Sequence, residues 1–444
     1  MKLCRSGHFR LCRDETLQKW LFSFVWRRNF AKVYVFVYTF FMVIREKYLA
    51  RLRSLRDQRL IKVVTGIRRS GKSTLLEQFR NELLASGVDQ NQITFLNFEE
   101  LENQNLLDYK ELHSHISQKL DPNKKNYIFL DEVQIVDDFE KAVDSLFVKQ
   151  NVDIYLTGSN AFMLSGELAT LLTGRYVSIH VLPYSFAEYK TALEIISPDL
   201  LDAGPDRILM RYLESSSFPE AVNLSLSAPD MVNTYLRDLF NTVLHVDIAR
   251  RHDIRSVPTL ERTLQFLMSS IGSPVSATNI AKSFGSVSHA TIGKYLDYLA
   301  RAYLVYEAQR YDIKGKRLLR TQEKYYTVDL GLRNILLSES QGSDRGHKLE
   351  NVIYLELLRR GGEVRIGKHG DTEVDFLVQS AGGQRYYYQV AFTVSDAETL
   401  KRELRPFKAI KDNYPKYLIT TDLGNEEHQG IQQINASDWL LSGG

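Results

Sequence analysis

Ile61-Lys62-Val63-Val64-Thr65-Gly66-Ile67-Arg68-Arg69-Ser70-Gly71-Lys72-Ser73-Thr74 is the stretch whose reading decides the fold. Its first five residues form a short, β-branched run suited to a buried strand. From Gly66 onward it fits G-x-x-x-x-G-K-[ST]. Leu75, Leu76 and Phe79 then recur at helical spacing, so the loop is expected between a strand and a helix, the context this motif requires. Glycines let a backbone wrap closely around phosphate oxygens, and N–H groups at a helix start favour an anion. Gly66, Ile67, Arg68, Arg69, Ser70, Gly71, Lys72, Ser73 and Thr74 are therefore the candidate nucleotide-binding residues. Lys72 is expected on the β- and γ-phosphates, and the Ser73 hydroxyl on Mg²⁺.

Two further strands support this reading. Tyr127-Ile128-Phe129-Leu130 is another buried-strand run and ends in Asp131-Glu132, the pattern of a Walker B strand. Asp131 is the second candidate Mg²⁺ residue, and Glu132 the candidate that polarises the attacking water. Ile154-Tyr155-Leu156 ends in Thr157-Gly158-Ser159-Asn160. Ser159 or Asn160 could reach the γ-phosphate there as a sensor, with a plain turn as the alternative. Arg175, in Gly174-Arg175-Tyr176, offers a cation for an arginine finger or sensor, with an ordinary salt-bridged surface arginine as the alternative.

The motifs GIRRSGKST, YIFLDEVQ, TGSNAFML, LTGRYVSIHVLPYSFAEY and FPEAV, in this order, resemble the prokaryotic AAA+-superfamily ATP-binding proteins that carry a C-terminal domain of unknown function. The resemblance covers nearly everything from Met42 to the end. It implies an α/β fold whose core is a parallel sheet with helices on both faces. It names no physiological task.

The chain of 444 residues is 44% hydrophobic and 25% charged, ordinary globular usage that excludes disordered, collagen-like and low-complexity classes for its bulk. Length alone suggests about three domains at roughly 100–200 residues each. The net charge of +3 is unevenly placed: residues 1–41 hold eight basic and two acidic residues, which leaves 49 basic against 52 acidic from Met42 onward. Both cysteines, Cys4 and Cys12, also lie in that first stretch. The body therefore has neither a disulfide framework nor a thiolate metal site.

Residues 20–44 are apolar and aromatic but broken by Arg27, Arg28 and Lys32. The clean run 33–44 is too short for a spanning helix of about 20 residues, and no small-residue cleavage site follows. The preferred reading is a start at Met42, with residues 1–41 a non-native or mis-annotated extension. The resembling family starts near such a position. A peripheral membrane anchor and an extra helical element are the alternatives.

Residues 191–255 read as a helical lid with a loop at 215–219. Within them His245, Asp247, Arg250, Arg251, His252 and Asp253 form a polar cluster. It matches no zinc signature and reads as a solvated or inter-domain face. Residues 256–335 look like a winged helix-turn-helix. Ser276 and Ser288 open two of its helices, and two β-like runs follow around 303–311 and 325–328. Lys314, Lys316, Arg317 and Arg320 between those runs, with Lys294 and Tyr295 on or near the recognition helix, could contact DNA phosphates; a protein-interaction role is the alternative.

In residues 336–444 the order is Glu350 on a helix, Asp375 on a strand and Gln389 on the next. This resembles the restriction-endonuclease-like fold and its PD-(D/E)XK signature. Gln389 stands where an acid is usual and Ala391 where the lysine belongs, so intact nuclease chemistry is not expected. The expected protein is thus a P-loop core at 42–190 followed by lid, winged helix and nuclease-like domain. ATP and Mg²⁺ are its cofactors, and Lys72, Glu132, Asn160 and Arg175 its candidate catalytic residues. DNA or a protein is its partner, an oligomer is allowed, and the cytoplasm is the default location. A nucleotide-gated binding module with little turnover and an ATPase-regulated nuclease are the competing readings.

Overall fold

Five short strands build the first sheet: β1 (Ile61–Thr65), β2 (Ile93–Asn97), β3 (Asn126–Asp131), β4 (Val152–Gly158) and β5 (Tyr176–His180). Their order is β2-β3-β4-β1-β5, and every pairing is parallel. The computed structural model describes residues 43–159, 172–197, 204–285, 287–337, 344–380 and 382–443. The expected extension 1–41 and the sensor candidate Asn160 lie outside them. Residues 44–444 cluster as one unit.

Strands covered on both faces must be apolar on both, which is why these runs lack polar alternation. Ile61, Val63, Ile128, Leu130, Ile154 and Leu156 face one layer, with Leu112 and Ile116 of helix Tyr109–Lys119 and Val143 and Leu146 of helix Phe139–Val148. Val64, Phe129 and Tyr155 face the other, with Leu49 and Leu52 of helix Glu46–Leu55 and Leu75, Leu76 and Phe79 of helix Lys72–Ala85. The aromatic rings there stack: Phe129 and Tyr155 lie 4.8 Å apart at 15°. This is the α/β P-loop NTPase architecture expected from the sequence.

Lys62 is the exception inside β1. It is fully buried and ion-paired to Asp153 at the start of β4. Tyr155 donates to the same carboxylate at 2.8 Å, and the Asp57 N–H at 2.9 Å.

Beyond the first sheet come helices Phe186–Ile196, Pro205–Glu214, Pro219–Ser227 and Val232–Asn241, then a π-helical segment Thr242–Arg250. Three helices follow, Val257–Ser269, Ala277–Phe284 and His289–Arg301. Ser276 and Ser288 cap the last two by accepting from the N–H groups of Asn279 and Thr291. Tyr295 is only 8% exposed, so its ring belongs to the core and is not offered to a groove, contrary to the reading from sequence.

The second sheet has nine strands: β6 (Pro274–Val275), β7 (Val305–Asp312), β8 (Arg317–Thr327), β9 (Glu363–His369), β10 (Thr372–Gln379), β11 (Arg385–Val390), β12 (Lys416–Thr420), β13 (Glu426–His428) and β14 (Ile431–Asn435). Their order is β13-β14-β12-β11-β10-β9-β7-β8-β6. The second run of the hairpin starts earlier than expected, at Arg317, because the Asp312 carboxylate accepts the N–H groups of Lys314 and Gly315 and closes a tight turn. Past a bulge between Ala308 and Arg310, β7 pairs in parallel with β9, from Arg310↔Ile366 to Asp312↔Lys368. The hairpin and the C-terminal strands therefore form one sheet.

Removing one partner of a buried ion pair leaves the other charged and unsolvated. Asp153→Asn should lower stability in urea unfolding by about 3–5 kcal/mol. The double substitution Lys62→Met with Asp153→Leu should recover only part of that loss, because the Tyr155 hydroxyl and the Asp57 N–H lose their acceptor.

Candidate functional site

The loop after Thr65 leaves at the C-terminal end of β1, the end it shares with the parallel strands β4 and β5 beside it. Gly66 sits at φ +146°, and a Cβ on it would lie 2.1 Å from the Val181 carbonyl oxygen. Gly71 sits at φ +94° and caps the helix Lys72–Ala85. Both positions require glycine. Arg69 is also left-handed, at φ +67°. The Ser70 hydroxyl is buried without a partner among the described residues, which fits a loop shaped to receive polar atoms of a ligand.

Lys72 is 4% exposed. Its ammonium donates to the Ile67 carbonyl at 3.2 Å and lies 3.6 Å from Glu132 Oε1. Burial lowers its pKa, and the neighbouring Glu132 and Asp131 offset part of that. Glu132 has a left-handed backbone, φ +52°. Burial alone would raise its carboxyl, but Lys72 and hydrogen bonds from Ser159 and Gln134 hold it below the usual range. The Ser159 hydroxyl donates at 2.8 Å and the Gln134 amide at 2.5 Å.

Asp131, 1% exposed, is pushed up by burial and held back by hydrogen bonds from Thr157 and Ser73. Thr157 serves two neighbours: its hydroxyl donates to Asp131 and accepts the Glu132 N–H at 2.8 Å. A serine hydroxyl beside a buried carboxylate is a hard oxygen donor set of the kind Mg²⁺ takes, so Ser73 and Asp131 could hold that ion.

The structure thus brings Lys72, Ser73, Asp131, Glu132 and Ser159 together. It does not bring Arg175 to them. Arg175 precedes β5, and its carbonyl accepts the Ile61 N–H at the opposite end of the parallel sheet. Its half-exposed guanidinium pairs with Asp144. The salt-bridged surface reading describes its place in this chain.

Three residues that reasoning from sequence did not assign matter here. Arg45 is 2% exposed. Its guanidinium donates to the Ser70 carbonyl at 2.8 Å, to Leu182 O at 2.9 Å and to both oxygens of Glu188, tying the loop to the segment after β5. Asp247, read as part of a solvated or inter-domain cluster, is 8% exposed and takes Arg68 of the loop in a two-pronged pair at 3.2 Å. His180, at the end of β5, meets Thr65 Oγ1 at 3.4 Å through Nδ1 and the Tyr306 hydroxyl at 2.7 Å through Nε2. No local motif marks any of the three.

The C-terminal carboxylates also converge, around a lysine the sequence did not point to. Lys324 of β8 lies 3.1 Å from Glu350, 3.1 Å from Glu373 and 3.8 Å from Asp375. Tyr326 donates to Glu350 at 2.7 Å. Gln389 accepts the Asp375 N–H at 3.3 Å and donates to Glu403 at 3.0 Å. Burial first, and then Glu350, push Asp375 up to about 8. Among the described residues no group of histidine, cysteine and carboxylate side chains is arranged to hold a metal ion, and no helix is long and apolar enough to cross a membrane.

The fold and loop define a P-loop NTPase. Residues 58–190 match the family model described as an AAA domain, and residues 206–343 match a domain of unknown function, DUF8612. An uncharacterized protein of Haemophilus influenzae is 39% identical over 406 residues, covering 90% of this chain and 99% of that protein. An uncharacterized protein of Methanocaldococcus jannaschii is 29% identical over 400 residues, covering 85% of each. Among solved structures, a Walker-type ATPase of Pyrococcus abyssi is 17% identical with a TM-score of 0.45, over 66% of this chain and 96% of that one. The chain belongs to the family of AAA-domain P-loop ATPases that includes the Haemophilus protein.

Burial, with the Lys72 and Arg359 cations, lowers the His180 pKa to about 4. Unfolded, it returns to about 6.5, so between those values the unfolded chain binds the extra proton. Stability should fall as pH drops from about 6.5 toward 4. His180→Gln should flatten that decline, as read from urea midpoints at pH 7 and pH 5.

Proposed function

We propose that the protein binds ATP with Mg²⁺ at the loop 66–74, hydrolyses it, and uses the cycle as a conformational switch acting on DNA or a protein partner. The observation that carries this is the convergence of Lys72, Ser73, Asp131, Glu132 and Ser159 at one edge of the parallel sheet. In the proposed role, Lys72 binds the β- and γ-phosphates in place of its present contacts to Glu132 and the Ile67 carbonyl. Ser73 and Asp131 would hold Mg²⁺, which supplies charge neutralisation to the phosphates when bound. Glu132, kept ionised, orients the attacking water and takes its proton. Ser159 and Gln134 aim that carboxylate. Asn160 remains a sensor candidate by its place in the sequence.

Two contacts support a switch. Arg68 joins the loop to the π-helical segment through Asp247, and such segments often mark functional sites. Thr65, at the root of the loop, joins β7 through His180 and Tyr306.

We read residues 256–335 as a winged helix-turn-helix and residues 336–444 as a restriction-endonuclease-like domain. The three helices and hairpin support the first, and the Glu350–Asp375–Gln389 order supports the second. The exposed Lys314, Lys316 and Arg317 at the hairpin tip support a DNA-backbone contact. Ala391, in place of the signature lysine, and Gln389, in place of an acid, support a domain without nuclease activity. The cytoplasm is the location this reading assumes.

ATP turnover and binding test the proposal. Lys72→Ala should weaken nucleotide binding by at least about tenfold, the loss of one charge-assisted contact. Glu132→Gln should still bind nucleotide but lose roughly 100-fold or more in turnover. Unchanged turnover in both variants would refute the site. Turnover near background in the wild type, with tight nucleotide binding, would favour the gated module with little hydrolysis.

The switch has its own readout. Asp247→Asn should preserve nucleotide binding but abolish nucleotide-dependent hydrogen-exchange protection across residues 242–269. Protection equal to wild type would exclude Asp247 from the coupling.

A further inference from the structure

Helix Ala397–Ala409 packs its apolar side into the second sheet. Leu404, Phe407 and Ile410 join a buried cluster with Tyr311, Ile313, Leu377 and Tyr387. Its other side is a row of charge. Lys401, Arg405 and Lys408, spaced i, i+4 and i+7, are exposed, with Arg402 beside them and Lys411 just beyond the helix end. Residues 397–411 hold these five cations and two acids, Glu398 and Glu403, in a body whose overall balance from Met42 is acidic.

One of the two acids is drawn away from the row. Glu403 is 12% exposed and accepts from Gln389. Among the described residues, Arg402 is the one cation of the five with an ion pair, to Glu403 at 2.9 Å. Two more cations edge the same buried cluster: Arg365 and Arg385 lie 5.3 and 5.6 Å from the centre of the Tyr311 ring.

We propose that this face, centred on Lys401, Arg405 and Lys408, is a docking surface for the phosphate backbone of duplex DNA. Seven residues of helix place Lys401 and Lys408 about 10 Å apart along one line, and a duplex presents a continuous row of phosphates at closer spacing than that. A membrane-surface helix needs an apolar face free to enter the lipid, whereas here that face is consumed by the sheet. The exposed row of Lys401, Arg405 and Lys408 presents cations and no exposed apolar side chain between them, which complements the continuous negative charge of a duplex. The surface lies on a different element from the hairpin tip, though Ile313 beside that tip shares its buried cluster, and the proposal rests on the reading that the protein acts on DNA.

The test uses the full chain without nucleotide and a fluorescein-labelled 30-base-pair duplex, by anisotropy from 50 to 300 mM KCl. Lys401→Gln/Arg405→Gln/Lys408→Gln removes three phosphate contacts. The slope of log affinity against log salt should become shallower by about 2–3, and binding at 100 mM KCl should weaken at least tenfold. Thermal melting of the triple variant should match wild type. The single exchange Lys408→Glu should weaken binding several-fold. Lys314→Gln/Lys316→Gln reports separately on the hairpin.

Wild-type affinity and slope in the triple variant would overturn the proposal. So would a wild type that binds no duplex, or one that binds phosphatidylserine vesicles and not DNA.

Discussion

The order of the parallel strands is the constraint on which the rest depends. β4 lies between β1 and β3, in register Thr65↔Gly158 on one side and Leu130↔Leu156 on the other. The phosphate-loop strand and the acidic strand are therefore not neighbours. Their chemistry meets across the end of β4, whose Thr157 and Ser159 fill the gap: Thr157 binds the side chain of Asp131 and the backbone of Glu132, and Ser159 binds the Glu132 carboxylate. In this order the lysine and the carboxylates meet through the end of β4.

That meeting point is buried, which makes its charges interdependent. Lys72 is disfavoured as an ammonium by burial and kept near Glu132 and Asp131, while Glu132 is held ionised largely by Lys72. Each charge lowers the cost of the other in a medium where either alone would be expensive. The same rule governs Lys62 with Asp153 under the sheet and Lys324 among Glu350, Glu373 and Asp375. Arg45 applies it to the backbone: its guanidinium satisfies carbonyls of the loop and of the segment after β5, and Glu188 balances its charge.

What was legible in the sequence was local. The loop, its flanking strand and helix, and the Asp131-Glu132 strand end are contiguous words, and periodicity placed them. Arg45, Asp247 and Lys324 act on residues 25, 179 and 26 or more positions away, so no spacing rule marks them. Lys324 shows the limit well. The expected cation was absent at Ala391, and folding placed another among the same carboxylates from a strand that sequence alone assigned to a separate module. Arg175 shows the opposite case. Its position just before a strand, in a sheet that is all parallel, already assigns it to the end away from the loop. Tyr295 failed because a helix with one apolar stripe buries whichever side chain lies on it, and here the stripe includes that ring.

The second sheet is continuous from the strand beside Thr65 to the C-terminal strands. Tyr303 and Tyr306 flank His180 beside Thr65, and Tyr306 is part of β7. The far half of β7 is hydrogen-bonded to β9, and through it to β10 and β11. The root of the loop therefore contacts the near half of β7, and the pairing with β9 begins past the bulge between Ala308 and Arg310. Arg68 and Asp247 act on a different element, the π-helical segment that leads into the three-helix region. The loop thus holds two separate handles, one on the sheet and one on the helices.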